Sequence, residues 1–287
     1  MSTRDLWKRA LTHGAQWRYL VLFLLALMLP AALAYLPLAS FFQSLFDHST
    51  RSAELVARLD SPAFTEVLRQ LGEPAAEAIG PGLHAALLLA AIIGPGLAGA
   101  TVVLARQQGP LRVRDLLGGA GQLYPRMLRM MVTACLPLGL AGAGAALAFH
   151  LAGKSSDRAL LESSADRAKM IATIVSVLLV WLAHVTVEAG RAHFAAQPER
   201  KSALLAWWSG VRLTVRHPLK VLGLCLVTTV LGVGGALLVT ALRYRIVPGG
   251  FATIALTFML AQLAVAAIAW GRSSRLVGLV ELIRTKS

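Results

Sequence analysis

The chain has 287 residues, 56% of them hydrophobic and only 15% charged, with a formal net charge of +14. Soluble domains carry about 25% charged residues, so this composition, with its apolar residues gathered into long runs, excludes an ordinary water-soluble enzyme and points to a chain dissolved in lipid. A basic excess of this size would indicate nucleic acid in a soluble protein, whereas in a membrane protein the placement of the charges decides its meaning.

Taken in chain order, the first element precedes the first apolar run. Ser2 and Asp5 fit a capping box. On a helix Arg4, Lys8, Thr12 and Gln16 share one face, and Trp7, Ala10, Leu11 and Gly14 the other. Such a helix either lies in the headgroup plane with Trp at the interface or offers a docking surface to a cytoplasmic partner. The run at 19–42 follows. Its basic leader and its apolar length both exceed those of a cleaved signal peptide, so it is expected to be a retained anchor, kinked at Pro30 and Pro37. The segment 43–82 holds a short amphipathic helix: Ser61-Pro62 opens it, Phe64, Val67, Leu68 and Leu71 form one face, and Gly72 with Pro74 ends it.

The second span is expected at 83–105, with a helix break at Gly94, Pro95 and Gly96. A second amphipathic stretch runs from Asp115-Leu116-Leu117-Gly118 to Tyr124-Pro125-Arg126. It leads into a third span at 127–152, broken early by Pro137 and carrying Gly139, Gly142 and Gly144 as a small-residue packing face. The fourth span, 170–190, ends on the semi-polar text Ala183-His184-Val185-Thr186-Val187-Glu188. A third amphipathic stretch, Leu204 to Gly210 and on to Arg216-His217-Pro218, precedes spans five at 218–242 and six at 251–270. Gly232-Val233-Gly234-Gly235 loosens span five. Each run has the roughly 20 residues needed to cross a hydrocarbon core of about 30 Å. The expected fold is therefore all-α. It is a polytopic transmembrane helix bundle of about six spans in a single membrane domain, 1–287, arranged as three hairpins that each follow a cytoplasmic amphipathic helix, a weak threefold repeat.

With the N-terminus inside, 19 of the 28 Lys and Arg residues fall on the inner side. The positive-inside rule then places both termini in the cytoplasm, and anionic lipid answers the basic excess without nucleic acid.

Ionisable residues inside a membrane each warrant a hypothesis. His184, Glu188 and Arg191 lie at spacings of four and three, on one helical face. They form either a proton- or ion-coupled site or a salt bridge that fixes the inner loop to the bundle. The position near the interface favours the salt bridge. Glu188 and Arg191 can pair with each other, or Glu188 with Arg212 or Arg216 from the following loop. His48, His84 and His150 fall near the outer interface without a local ligand pair, so no metal site is expected. The broken helices hint at transport, against close helix packing. Cys135 and Cys225 lie in apolar runs and read as small hydrophobes. No phosphate-binding loop, H-E-x-x-H or G-x-S-x-G motif is present, so no catalytic residue and no cofactor is assigned.

The loop after span four reads Glu188-Ala189-Gly190-Arg191-Ala192-His193, then Glu199-Arg200-Lys201-Ser202, then Gly210-Val211-Arg212 and Arg216-His217-Pro218. This text resembles a widespread group of uncharacterised bacterial six-span inner-membrane proteins, with Glu188 in place of their usual Asp and without their Tyr. The layout is also similar to the membrane domain attached to some glycerophosphodiester phosphodiesterases. The resemblance implies a bacterial plasma-membrane location and a loop-stabilising role for Glu188, Arg191, Arg200 and Arg216; it implies no activity. The expected function is a non-enzymatic membrane-embedded subunit or organiser with lipid and a cytoplasmic, membrane or identical partner. A secondary transporter for a small solute or lipid is the alternative, and an intramembrane lipid-modifying enzyme the third reading.

Overall fold

A computed structural model of the chain describes residues 3–47, 73–107, 109, 111–157, 162–246 and 250–285. The short helix expected around Ser61-Pro62 and the position of His48 lie outside them. Among the described residues there are eight α-helices and no strand: α1 (Thr3–Gly14), α2 (Trp17–Asp47), α3 (Glu73–Arg106), α4 (Val113–Asp157), α5 (Glu162–Ala196), α6 (Ala203–Arg216), α7 (Pro218–Tyr244) and α8 (Phe251–Arg284). Helices satisfy their backbone groups internally, which lipid demands. Six of them, α2 to α5 with α7 and α8, are long and apolar enough to cross a membrane. The chain is a multi-pass integral membrane protein.

The chain divides into two compact units. The smaller is Leu22–Gly94; the larger combines Met1–Val21 with Pro95–Ser287. Within the smaller, Gly82 lies against the Pro37 ring, where an added Cβ would come 2.3 Å from Pro37 Cγ. Leu25, Leu29, Leu36, Leu87 and Leu88 are exposed, as lipid-facing side chains are.

The core of the larger unit is the last third of α8. Every residue from Ser273 to Ile283 is buried, the pattern of a helix enclosed on all sides. Helix α7 meets α8 through glycine: a Cβ on Gly271 would come 2.8 Å from the Thr228 carbonyl oxygen and 3.0 Å from Gly232 Cα. Small residues let membrane helices approach at backbone distance. The same device joins α6 to α5, where a Cβ on Gly210 would sit 2.5 Å from the Gly190 nitrogen. Buried Ala203, Ala206, Gly210 and Thr214 form the α6 face turned to the protein, and Leu204, Leu205, Trp208 and Val215 are exposed on the rest of the helix.

Helix α1 is not a free surface anchor. Gly14 abuts the Ser274 backbone, Ser273 Oγ donates to the Gly14 carbonyl at 2.8 Å, and Trp270 Nε1 donates to the Leu11 carbonyl at 3.0 Å. Its apolar face, with Ala10 fully buried, is covered by the protein's own α8.

Several sequence expectations require correction. The second amphipathic stretch is not a separate helix, because α4 runs unbroken through Pro125 and Pro137. Gly94, Pro95 and Gly96 do not break α3, which is continuous from Glu73 to Arg106. Proline removes one N–H from the ladder, and membrane helices re-satisfy the freed group locally and keep turning. Gly139 and Gly142 have open space where a Cβ would stand; of that face only Gly144 is in contact, against Leu179. Gly232, read as a loosening residue, is a packing residue. Spans four and six also extend further than their apolar runs, to Ala196 and Arg284.

Candidate functional site: a buried charge cluster where α5 and α8 meet

Helix α5 carries His184, Glu188 and Arg191 on one face, as their spacing requires. Arg191 Nη1 donates to Glu188 Oε1 at 2.7 Å, and His184 Nε2 lies 3.7 Å from the same oxygen. Glu188 is only 1% exposed, and the His184 side chain is 43% exposed. The carboxylate is therefore sealed while its histidine neighbour reaches the surface.

The remaining charges come from α8. Arg272 and Arg275 act on the Glu188 carboxylate electrostatically, as Arg191 and His184 do. Arg275 is buried and donates from Nη1 to Thr229 Oγ1 of α7 at 3.2 Å. Nearby, Tyr19 at the start of α2 is fully buried, its hydroxyl 3.0 Å from Thr101 Oγ1 of α3. Thr101 in turn donates to the Leu97 carbonyl at 2.7 Å. One buried carboxylate thus sits among arginines from two helices. In a low-dielectric setting such a charge persists only when paired and hydrogen-bonded.

Arg212 and Arg216, the partners that sequence offered from the loop, are exposed on α6. Arg272 and Arg275 take that place. Their helix, though not their contact with Glu188, leaves a signal in the sequence: apolar residues continue beyond Trp270 through Leu276, Val277, Leu279, Val280, Leu282 and Ile283.

The loop after α5 is tied down by side chains. Arg200 donates through Nη1 to Ser209 Oγ at 2.7 Å and to the Leu205 carbonyl at 3.2 Å, and through Nε to Gln197 Oε1. Arg126 of α4 donates to the Pro198 carbonyl at 2.8 Å, and Arg106 of α3 to the Phe194 carbonyl at 2.6 Å. Ser202 caps α6, accepting from the Leu205 N–H. Trp207 Nε1 donates to Thr186 Oγ1 of α5 at 3.1 Å. Arginine thus caps helix ends, where carbonyls lack partners.

Among the described residues no group of three or more His, Cys, Asp or Glu side chains converges on a metal-binding geometry. His84 Nδ1 donates to the Gly80 carbonyl of its own helix at 2.6 Å, and His150 is exposed. Gly94, Gly96 and Pro137 lie within continuous helices, with Tyr124 the nearest neighbour of a Cβ on Gly96. Comparison with known proteins returned no matching family model, no matching curated protein and no matching solved structure.

Proposed function

We propose that this integral membrane protein is a non-catalytic subunit or organiser of the bacterial inner membrane, with both termini in the cytoplasm. One observation carries the reading: charged and small residues near the ends of the spans join helix to helix. Glu188 is sealed against Arg191 and the α8 arginines, and glycine contacts clamp α1 and α6 onto the ends of α8 and α5. The exposed Lys8 and Arg9 of α1, and Arg212 and Arg216 of α6, offer basic side chains to anionic lipid and to a partner. The bacterial location rests on the resemblance of the loop after span four.

Affinity purification in mild detergent, with mass spectrometry of what co-purifies, tests it. A stoichiometric protein partner is expected. The chain alone with a defined small solute bound would overturn the subunit reading.

A second reading, a secondary transporter, is favoured by His184 alone, a half-exposed imidazole 3.7 Å from a sealed carboxylate. It requires that Glu188→Gln abolish solute flux at normal protein level. Intact flux in the surviving folded fraction would end it.

A further inference from the structure

A cavity of about 540 Å³ lies at the basic end of the larger unit, among α1, the start of α2, the segment after α3 and the end of α8. Its size falls within the roughly 300–1,000 Å³ of small-molecule sites. Its depth in the membrane follows from its walls. The α2 span begins at Trp17 and the α3 span ends at Arg106, so the cavity opens at headgroup level, with Trp17 exposed at its edge.

Charges of both signs face into it. Arg18 lies over the Trp17 ring, 5.5 Å from its centroid, and spends one donor, Nη1, on the Leu111 carbonyl at 3.0 Å. A guanidinium has five N–H donors, so Arg18 keeps others for an anion. Arg9, more than half exposed, also lines the cavity. The opposing group is Glu281, a buried residue of α8. Its Oε2 lies 3.8 Å from Arg9 Nη1 and its Oε1 3.6 Å from Arg284 Nη1, both beyond hydrogen-bond length. The carboxylate therefore lines the cavity with lone pairs that neither guanidinium takes up. His13 donates from Nε2 to the Leu104 carbonyl at 3.1 Å, which leaves Nδ1 available in the wall.

We propose that this cavity holds a zwitterionic phosphate ester with a primary amine, the phosphoethanolamine headgroup. Arg9 and Arg18 receive the phosphate, in charge-assisted bonds. Glu281 receives the ammonium. A quaternary ammonium has no N–H to give Glu281, and a glycerol headgroup has no cation for it, so the site discriminates among phospholipids.

The test uses the full chain in nanodiscs of equal parts phosphatidylethanolamine, phosphatidylglycerol and phosphatidylcholine, with lipids retained after gentle release counted by native mass spectrometry. Retention of phosphatidylethanolamine at least tenfold above phosphatidylcholine is expected. Arg9→Gln with Arg18→Gln should remove that retention, and Glu281→Gln should reduce the preference towards one. Arg9→Lys keeps the charge and should keep the lipid. Arg9→Gln alone alters an exposed group, so a loss of retention with wild-type melting is not a folding defect. Titration with free O-phosphoethanolamine separates the sources: binding of that compound with equal lipid retention assigns the site to a water-soluble ligand of the same chemistry. Stronger retention of phosphatidylglycerol, or indifference to Glu281→Gln, overturns the proposal.

Discussion

Replacing Glu188 by Gln leaves the part-buried Arg191 and the buried Arg275 without their carboxylate. Removing one partner of a buried ion pair typically costs about 3–5 kcal/mol, because the surviving charge is uncompensated. We predict a loss of that order for Glu188→Gln, read from thermal unfolding in detergent, and partial recovery when Arg191→Met is added. A loss below about 1 kcal/mol, the value of an exposed pair, would show that the arginines do not depend on this carboxylate. The pairing of His184, Glu188 and Arg191 was legible at residue level because a helix puts positions i, i+4 and i+7 on one face. The contributions of Arg272 and Arg275 were not. Arg272 lies 84 positions beyond Glu188 in the chain, and local spacing carries no information about which distant helix a face will meet.

At the level of elements, the contact between α5 and α6 is backbone against backbone. A side chain on Gly210 meets the Gly190 nitrogen and the Thr186 carbonyl oxygen, neither of which can rotate aside. Overpacking of this kind costs about 1–3 kcal/mol. Gly210→Leu should therefore detach α6 and make the chain cleavable by trypsin at Arg200 and Lys201, whereas Gly142→Leu, with open space around it, should leave the digestion pattern unchanged. Equal sensitivity in the two variants would remove the contact as a determinant of the fold. Both glycines look alike in sequence, since neighbouring small residues advertise a packing face without saying whether a partner occupies it. The prolines teach a related lesson. Pro95 and Pro137 read as breaks because an isolated helix loses stability there; inside a bundle the helix continues, held by its neighbours. Helix lengths were underread for the opposite reason. Polar text such as Arg272-Ser273-Ser274-Arg275 resembles a membrane exit, and only burial by surrounding helices turns it into core.

For the whole molecule, hydropathy and the uneven distribution of Lys and Arg carry most of the argument, and six membrane-length helices accord with the hydropathy. Orientation is open to direct measurement. With Cys135 and Cys225 replaced by alanine, Ser155→Cys should react with a membrane-impermeant maleimide added outside intact cells, and Gln197→Cys should react only after permeabilisation. The reverse pattern would invert the molecule. The docking of α1 has a consequence for biosynthesis. Ser273 and the Gly14 carbonyl it holds are 259 positions apart. At about 5–20 residues per second of synthesis, α1 leaves the ribosome some 13–50 s before its binding surface exists. Throughout that interval its apolar face must rest on something else. The membrane surface is at hand, and an amphipathic helix binds it reversibly. The amphipathic pattern of α1 thus serves two hosts in succession, first the lipid on which the nascent chain waits and then a helix made long after it.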